Sequence, residues 1–366
     1  MKIQEIISFL EQRAHPALQE KYDNCGLLTG DSAQACTGII CTLDATEDVI
    51  LEAVEKKCNL VVAHHPIIFS GLKKINGRNY VERTVIAAIK NDIAIYAIHT
   101  SLDNVSDGVN GRIADRLGLE QRTVLNPRPD TLRKLYTFVP VAEAARVRDT
   151  LFAAGAGHIS NYSECSFNTT GTGTFRGNEK SNPFVGEPGK RHQEEEIRIE
   201  VILPAWAEKR ILEALHQAHP YEEVAYDMIA LTNQNPGIGS GLVGSLPRPL
   251  PENEFLGRLQ SVFGIPVIKH TRLLGRPVQK VAVCGGAGSS LIFNALSVGV
   301  EAYVTADIKY HEFFDANDRL LLCDVGHFES EQYTIDLLQE LLQQNFPTFA
   351  VLKTGVKTNP VHYFLR

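Results

Sequence analysis

Two adjacent histidines, His64 and His65, end the apolar segment LVVAHHPIIF. Successive side chains of a regular strand point to opposite faces, so neighbouring histidines can serve one site only where the strand ends. Pro66 supplies that end, because it has no N–H for a strand ladder and favours an extended conformation at His65. We therefore expect a strand end whose last two imidazoles face a pocket, with a solvated loop as the alternative.

Two further predicted strands end in a histidine that is followed four residues later by a carboxylate. The segment IAIYAIHTSLDN gives His99 and Asp103, and LLLCDVGHFESE gives His327 and Glu331. If a helix begins at His327, this pair lies on one helix face and both side chains can reach the same ion. Glu329 competes with Glu331 for the role of ligand, and His99 could instead be a hydrogen-bonded structural histidine.

These six histidines and carboxylates, with no thiolate, predict a site for borderline divalent ions such as Zn, Fe, Mn, Co or Ni. They do not resemble the all-oxygen cage that calcium or magnesium prefers. Six ligands exceed the four of a structural zinc site, but they fit two ions bridged by a carboxylate, roughly 3.5 to 4 Å apart. Such a centre lowers the pKa of bound water toward about 7, so the expected chemistry is hydrolysis.

The segments that carry these residues alternate between strands and helices. GIICTLDAT, EDVILEAVEKKC and NLVVAHHPIIF predict a β-α-β unit, which requires a parallel sheet and places ligands at the carboxyl ends of its strands. Later in the chain, EAYVTADIKYHEFF corresponds to NLVVAHHPIIF, and LLLCDVGHFESE corresponds to IAIYAIHTSLDN. We predict two related Rossmann-like α/β halves around a common pocket, with Ala306 and Asp307 in place of the double histidine.

Composition changes near Asn126, where the chain continues as NPRPD. The following segments predict the element order β-α-β-β-α-β, which is the ferredoxin-like plan. We therefore expect one discontinuous α/β domain of residues 1–126 and 236–366, interrupted by an inserted α+β domain of residues 127–235. The segment HPYEEVAYD, with His219, falls in the inserted domain, where packing and oligomer contact are the plainer interpretation.

Two other features could carry chemistry. His311, in IKYHEFF, could orient a metal ligand or act as a general acid or base, and capping of a helix is an equal alternative. With His99, it is the candidate for a catalytic residue that is not itself a metal ligand. CGGAGSS lies between a predicted strand and helix, where backbone N–H groups can hold an anion, although a tight turn needs the same glycines.

Composition excludes several classes of protein. The 366 residues, 44% hydrophobic and 22% charged, predict an ordinary globular protein of two or three domains. A net charge of -7 argues against a nucleic-acid-binding surface. Seven scattered cysteines with no CxxC pair predict buried thiols in a reducing cytoplasm, and no segment approaches the roughly 18 apolar residues of a membrane span.

The combination of AHHPIIF, HTSLDN, TADIKYHEF and GHFESE resembles the GTP cyclohydrolase I type 2 homologue family, also called Nif-three-like or YqfO/YbgI-like proteins. The resemblance implies a dinuclear metal centre with the ligands His64, His65, Asp103, His327 and Glu331, and with His99 close by. It also implies that the inserted domain is PII/CutA-like and that the chain forms a homohexamer, a trimer of dimers.

The resemblance further implies hydrolysis of GTP, with opening of the guanine imidazole ring and release of formate. No feature of the sequence recognises guanine or a triphosphate, so two other functions stay open. One is a metal-binding regulatory or metal-handling protein whose inserted domain senses a small molecule. The other is a metal-dependent nucleotide phosphoesterase, which would need basic residues around the pocket.

Overall fold

The computed structural model describes residues 1–364, which divide between two compact units. The larger unit comprises Met1–Asn126 together with the chain from Gly237 onward, and the inserted unit is Pro127–Pro236. The second junction lies one residue beyond the expected boundary, and the independence of the two units as domains stays a prediction. The mixed α/β class is confirmed. No helix within residues 1–364 is long and apolar enough to cross a membrane.

The first half of the larger unit builds a parallel sheet. Its elements are α1 (Ile3–Arg13), β1 (Gly26–Thr29), β2 (Ile39–Asp44), α2 (Glu47–Glu55), β3 (Leu60–His65), α3 (Tyr80–Lys90), β4 (Ala94–Ala97), α4 (His99–Asp103), α5 (Val109–Leu117) and β5 (Glu120–Pro127). Strands β2, β3 and β4 are parallel neighbours, and β1 pairs antiparallel with β4. The buried faces of α2 and α3 pack on the apolar side chains of β3 in one core cluster.

Thr46 and Asn79 cap the amino ends of α2 and α3, the two helices that pack on this sheet. The Thr46 hydroxyl accepts a hydrogen bond from the amide of Val49, and the Asn79 side chain accepts one from the amide of Glu82. Each side chain satisfies a helix N–H that has no partner within the helix. Helix α2 therefore begins at the Asp/Thr cap that the sequence predicts, whereas α3 begins at Asn79 after a long loop that follows β3.

The inserted unit is a four-stranded antiparallel sheet with two helices. Its elements are β6 (Leu132–Pro140), α6 (Ala144–Ala153), β7 (Ser166–Phe175), β8 (His192–Pro204), α7 (Glu208–Ala218) and β9 (Tyr226–Ala230). The strand order is β7-β8-β6-β9, so the unit has the element order β-α-β-β-α-β. Leu135, Val139, Ile199 and Val201 form the core with α6 and α7.

The second half of the larger unit builds another sheet. Its elements are β10 (Gly239–Leu250), α8 (Glu252–Phe263), β11 (Lys269–His270), β12 (Val278–Ala287), α9 (Ile292–Ser297), β13 (Ala302–Ala306), β14 (Leu321–Asp324), α10 (His327–Glu331), α11 (Thr334–Asn345) and β15 (Val351–Lys353). The strand order is β11-β14-β13-β12-β10-β5, and β15 joins the first sheet beside β2. Short 3-10 helices cover Pro16–Leu18, Ala205–Ala207, Ser289–Leu291 and Tyr310–Ala316.

The two sheets of the larger unit follow the same plan. Each contains three parallel strands, β2-β3-β4 in one and β12-β13-β14 in the other. A short antiparallel strand flanks the third strand in both cases, β1 on β4 and β11 on β14. A five-residue helix then follows that third strand, α4 after β4 and α10 after β14, and each begins at a histidine and ends at a carboxylate.

Equivalent backbone hydrogen bonds fix the register between the halves. The amide of Ile98 donates to the carbonyl of Ala63 at 3.1 Å, and the amide of Val325 donates to the carbonyl of Thr305 at 2.9 Å. Counting onward from these carbonyls places Asp307 where the first half has the second histidine of its pair. The double histidine therefore has no counterpart in the second half.

Candidate metal centre

Strand β3 ends with two histidines whose rings lie side by side, and His65 also lines a cavity. His64 is fully buried, whereas His65 is about one-fifth exposed, and the two ring centroids lie 4.8 Å apart with a tilt of 51° between the planes. The strand ends at His65, immediately before Pro66, so the usual alternation of side chains does not separate the pair. Both imidazoles therefore contribute to the same cluster.

The two short helices bring the remaining candidate ligands to these histidines. His327 and Glu331 are the first and last residues of α10, and His327 Nε2 lies 3.2 Å from Glu331 Oε2. Asp103 ends α4 and places Oδ1 3.7 Å from Nε2 of His64. His99 begins α4, and its ring centroid is 5.4 Å from that of His64.

Glu331 lies between the histidines and faces them with different oxygens. Its Oε2 atom is 3.0 Å from Nε2 of His65 and 3.2 Å from Nε2 of His327. Its Oε1 atom is 3.7 Å from Nε2 of His64. The two oxygens of Glu331 thus face two separate groups of donor atoms, as do the oxygens of a carboxylate that bridges two metal ions.

Three overlapping sets of side chains place their donor atoms within 4.8 Å of one another. The sets are His64, His65 and His99; His65, His327 and Glu331; and His64, Asp103 and Glu331. The structure therefore brings together all five ligands expected from the sequence, with His99 beside them. Binding of metal by these residues stays a prediction.

Unsatisfied polar atoms point to a missing partner in this cluster. Among residues 1–364, the buried atoms His64 Nδ1, His64 Nε2 and Asp103 Oδ1 have no hydrogen-bond partner. A buried polar atom without a partner costs about 1–3 kcal/mol. A divalent cation accepts lone pairs from imidazole nitrogens and carboxylate oxygens alike, so the donor set fits a metal ion.

The partly buried carboxylate of Asp103 and the buried carboxylate of Glu331 repel each other. Burial, followed by the negative charge of Glu331, raises the pKa of Asp103 well above its usual range. Burial also opposes ionisation of Glu331, but His327 and His64 outweigh it and hold the pKa of Glu331 well below its usual range. A cation between the two carboxylates would stabilise both in the ionised form.

The histidines of the cluster differ in pKa and therefore in protonation state. Burial lowers the pKa of His64 to about 4, so its imidazole is neutral and able to bind a metal. Burial also opposes protonation of His65, but Asp44 and Glu331 outweigh it and raise its pKa to about 10. Glu331 and Asp307 likewise overcome burial and raise the pKa of His327 to about 9. An ion that binds His65 or His327 must therefore displace a proton.

Three aspartates hold the Nδ1 atoms of three histidines in the cluster. The distances are 2.8 Å from His65 Nδ1 to Asp44 Oδ1, 2.6 Å from His99 Nδ1 to Asp23 Oδ1, and 2.7 Å from His327 Nδ1 to Asp307 Oδ2. In the neutral imidazole, a carboxylate at Nδ1 keeps the proton on that atom and leaves the lone pair on Nε2, which faces the cluster. This arrangement is typical of metal-binding histidines.

The roles of these aspartates were not predicted from the sequence. Asp44 reads as part of a helix-capping segment, but it also ends the strand beside β3 and pairs in register with His65. The rule that ligands gather at the carboxyl ends of parallel strands could have identified it. Asp23 lies in the loop before β1, and no local pattern connects it with His99.

Other side chains fix the position of Asp23. The amide of Thr100 donates to Asp23 Oδ2 at 3.1 Å, the Thr100 hydroxyl donates to the same oxygen, and the Cys25 thiol lies 3.1 Å from it. Burial opposes ionisation, but the bonds from His99 and Thr100 outweigh it and lower the pKa of Asp23 below its usual range. Asp23 is therefore an anion that orients His99.

Two members of these pairs have a backbone conformation that is unfavourable for residues other than glycine. His99 has φ of 27°, and Asp307 has φ of 55°. Each such residue costs of order 1–3 kcal/mol and persists only where its surroundings hold it in place. The strain falls on the two turns that aim the His99 ring and the Asp307 carboxylate at the cluster.

The glycines of CGGAGSS pack against the histidine and carboxylate cluster in a way that the sequence did not predict. Strand β12 continues through these glycines to Ala287. A Cβ atom on Gly285 would lie 3.2 Å from Glu331 Cγ, and one on Gly286 would overlap the Glu331 carboxylate. The amide of Gly286 also donates to the hydroxyl of Ser330 at 3.0 Å. The glycines therefore make room for α10 and its carboxylate.

The structure does not bring His311 into the cluster. His311 is exposed on the 3-10 helix Tyr310–Ala316, and its ring contacts those of Tyr310 and Phe314 at centroid distances of 5.1 and 6.4 Å. The helix presents the imidazole to solvent, so the expectation that His311 supports the metal ligands receives no support. Its assignment as a catalytic residue stays a prediction.

The choice between Glu329 and Glu331 is clear from their contacts. The Glu329 carboxylate accepts a hydrogen bond from Nδ2 of Asn359 at 2.9 Å. Glu331 contacts the histidines instead, because residues at i and i+4 share a helix face. The spacing of four residues from His327 therefore identifies Glu331 as the carboxylate that joins the cluster.

The cluster opens into a cavity of about 950 Å³. Tyr22 and Phe69 stack at its mouth with ring centroids 6.2 Å apart and planes 28° apart, and Phe69 also contacts the His99 ring at 6.0 Å. Apart from histidines, Lys269 is the one basic side chain among the described residues that line the cavity. Its Nζ atom forms an ion pair with Asp324 Oδ2 at 2.5 Å. The cavity thus offers aromatic surface but little free positive charge.

Comparison of the chain with known proteins identifies its family. The family described as Duf34/NIF3 (NGG1p interacting factor 3) matches residues 1–360. A Halalkalibacterium halodurans protein named GTP cyclohydrolase 1 type 2 homolog is 38% identical over 362 residues, 98% of this chain and 97% of that protein. A Bacillus subtilis protein of the same name is 37% identical over 327 residues, 89% of this chain and 88% of that protein.

A solved structure gives the same result for the fold. The crystal structure of a Bacillus cereus protein related to NIF3 superimposes with a TM-score of 0.86 at 36% sequence identity. The match covers 100% of this chain and 99% of the other. The resemblance inferred from the histidine and carboxylate motifs is thus confirmed, and the chain belongs to the Duf34/NIF3 family.

Proposed function

We propose that the chain binds two divalent metal ions and is a metal-dependent hydrolase. The observation that carries this proposal is the division of Glu331, whose Oε1 faces His64 and whose Oε2 faces His65 and His327. One ion would be held by His64, Asp103 and Glu331, and the other by His65, His327 and Glu331. His64 and His65 would then serve different ions.

The protein's own contribution to catalysis would be orientation and proton transfer. When bound, a pair of divalent ions acidifies water and polarises an electrophilic carbon or phosphorus. His99 would move a proton at Nε2; the bond of its Nδ1 atom to Asp23 and the position of its ring beside those of His64 and His65 support this role. Asp44 and Asp307 would keep His65 and His327 in the orientation that metal binding requires.

We propose GTP as the substrate, on the basis of relatives named GTP cyclohydrolase 1 type 2 homolog. In this reaction one water adds at C8 of guanine and opens the imidazole ring to a formamide, and a second water releases formate. The stacked pair of Tyr22 and Phe69, exposed by 66% and 50%, supports the proposal because aromatic faces of this kind stack on nucleobases.

A metal-handling protein without turnover is the second candidate. The observation in its favour is the low positive charge of the cavity, where Lys269 is already paired with Asp324. A triphosphate carries several negative charges and is normally met by more than one free cationic group. The same observation argues against a nucleotide phosphoesterase, which would depend even more on basic residues.

The candidates are separated by one assay on protein whose metal content has been measured. We expect the loaded wild-type protein to release formate from GTP and to form a fluorescent pterin. The His65→Ala variant should lose this activity, whereas His158→Ala, which removes an exposed histidine of the inserted unit, should retain it. No formate from the fully loaded protein would exclude the GTP reaction and favour the metal-handling function.

The family resemblance also supports three further proposals, on the oligomeric state, the inserted unit and the location of the protein. We expect a homohexamer assembled as a trimer of dimers, a PII/CutA-like role for the inserted unit, and a cytoplasmic location in keeping with seven cysteines that form no disulfide. Light scattering after size exclusion tests the first proposal. A particle of six chains supports it, and a monomer contradicts it.

A further inference from the structure

A second cavity is lined only by residues of the inserted unit, none of which lines the cavity of the histidine and carboxylate cluster. Its volume is about 670 Å³, within the range of roughly 300–1,000 Å³ found for small-molecule sites. Phe138, Phe175, Phe184 and Tyr221 provide aromatic surface around it, and Glu196 lines it from strand β8. Rings of Phe175 and Phe184 lie 6.0 and 6.3 Å from that of Tyr221.

Two glycines of strand β7 create the space in front of Glu196. Gly171 pairs directly with Glu196 across the ladder, and Gly173 lies two residues further along the same strand. A Cβ atom on Gly173 would overlap the Glu196 carboxylate, whereas one on Gly171 would meet no atom within 4 Å. Neither glycine has a positive φ, so the backbone itself does not require them. Glycine inside a strand often marks the close approach of a ligand.

Glu196 is a buried carboxylate with few partners. It is only 8% exposed, and its Oε1 atom accepts a hydrogen bond from the Tyr221 hydroxyl at 2.8 Å. Within residues 1–364 this is the one hydrogen bond of its side chain, and no basic side chain forms an ion pair with it. Glutamate is rarely buried unless it is paired, so its free acceptor capacity suggests a ligand with donor groups.

Two arginines, Arg176 and Arg198, line the cavity, and among the described residues neither forms an ion pair with Glu196. Arg198 stands two residues away on the same face of β8, but its guanidinium stacks on Tyr136 at 4.3 Å and pairs with Glu200 at 3.1 Å. Glu222 accepts the amide of Asn182 at 2.9 Å and so ties the loop that carries Phe184 to the rim of the cavity. The loop that carries Phe184 and the carboxylate of Glu196 are thus held in place by separate contacts.

The HPY sequence of HPYEEVAYD positions the hydroxyl that contacts Glu196. His219 accepts the amide of Tyr221 at Nδ1 at 3.1 Å and donates from Nε2 to the carbonyl of Phe138 at 2.9 Å. Burial lowers the pKa of His219 and so favours the neutral tautomer that makes both bonds. Burial and Glu196 raise the pKa of Tyr221, which keeps its hydroxyl as a donor.

We propose that this cavity binds a small, flat aromatic molecule that donates adjacent N–H groups to Glu196. A carboxylate accepts two parallel N–H bonds, and the aromatic walls stack on a ring held in that position. The 2-amino-4-oxopyrimidine edge of guanine or pterin and the amidinium of benzamidine share this chemistry. The site is independent of the metal centre, and its occupancy does not depend on hydrolysis.

The experiment measures binding of pterin, guanosine and benzamidine to the full-length His65→Ala protein by calorimetry, so that turnover does not interfere. Adenosine is the control ligand, because its edge places an acceptor beside its amino group. We expect Glu196→Gln to weaken binding at least tenfold, because the amide has only one acceptor oxygen. Glu194→Gln should have no effect, because Glu194 pairs with His192 outside the cavity.

A cavity-filling variant tests the site without touching Glu196. In Gly171→Val the new side chain enters open space on a strand, so the fold should persist while binding is lost. Asn168→Val, at an exposed position of the same strand outside the cavity, should bind normally. Circular dichroism confirms that both variants are folded.

Three results would overturn the proposal. The first is that pterin, guanosine and benzamidine all fail to bind at millimolar concentration. The second is that adenosine binds as tightly as guanosine. The third is that a folded Gly171→Val protein binds the probes as the parent does, which would place binding elsewhere, for example in the cavity of the metal centre.

Discussion

The Nδ1 atom of His65 lies 2.8 Å from Oδ1 of Asp44, the last residue of the neighbouring parallel strand. Asp44 in turn accepts the hydroxyl of Thr358 at 2.7 Å on its other oxygen. The Asp44 carboxylate therefore fixes the tautomer of His65 and aims its Nε2 atom at Glu331. Asp44 belongs to none of the three sets of candidate ligands, yet it determines the orientation of His65, which belongs to two of them.

Replacement of Asp44 by alanine should weaken metal binding without removing a ligand. Loss of a carboxylate that orients a metal-binding histidine typically lowers affinity about 10- to 100-fold. Competition with a chelator measures this change. The matched control is Asp48→Ala, at an exposed position in the first turn of α2, which should bind metal as the wild type does. Equal affinities for both variants would contradict the role of Asp44.

Metal affinity should rise with pH. Without an ion, Asp44 and Glu331 outweigh burial to raise the pKa of His65 to about 10, and Glu331 raises that of His327 to about 9. Both imidazoles therefore hold protons at neutral pH, and an ion must displace them. Raising the pH removes these competitors, so the dissociation constant should fall between pH 6 and pH 8. A pH-independent constant over this range would show that neither histidine is a ligand.

Gly286→Ala should disrupt the centre from the backbone side. The added methyl group would overlap the Glu331 carboxylate, and the φ of 61° is unfavourable for alanine by about 1–2 kcal/mol. We expect lower metal content together with a lower melting temperature. Gly257→Ala is the control, because it lies in helix α8 with no atom within 4 Å of a new Cβ and should not lower stability. Unchanged metal content in Gly286→Ala would show that Glu331 can bind from another position.

Removal of metal should destabilise the larger unit. The buried atoms of His64 and Asp103 that lack partners would lose the ion that satisfies them, and a ligand that binds only the folded state stabilises it by mass action. We expect the melting temperature to fall on addition of a chelator and to recover with excess zinc or manganese. A melting temperature that is insensitive to chelation would argue against an ion at these atoms.

The sequence predicted which histidines and carboxylates lie together, because their positions follow from local rules. Pro66 ends β3 at the double histidine, and the spacing of four residues between His327 and Glu331 matches one helix turn. The partners of the ligands depend on contacts between distant parts of the chain, which such rules do not reach. Asp23 contacts His99 across 76 positions of sequence. For His311 the sequence motif and the structure differ, because the 3-10 helix Tyr310–Ala316 leaves its side chain exposed and outside the cluster.

The dinuclear centre is tested most directly by the number of metal ions bound by three proteins, measured by elemental analysis after purification without chelator. We expect two ions per chain in the wild type, because Glu331 faces His64 and His65 with different oxygens. We expect about one ion in each of His64→Ala and His65→Ala, since each variant removes a proposed ligand of a different ion. A wild type with one ion or none would contradict the dinuclear centre.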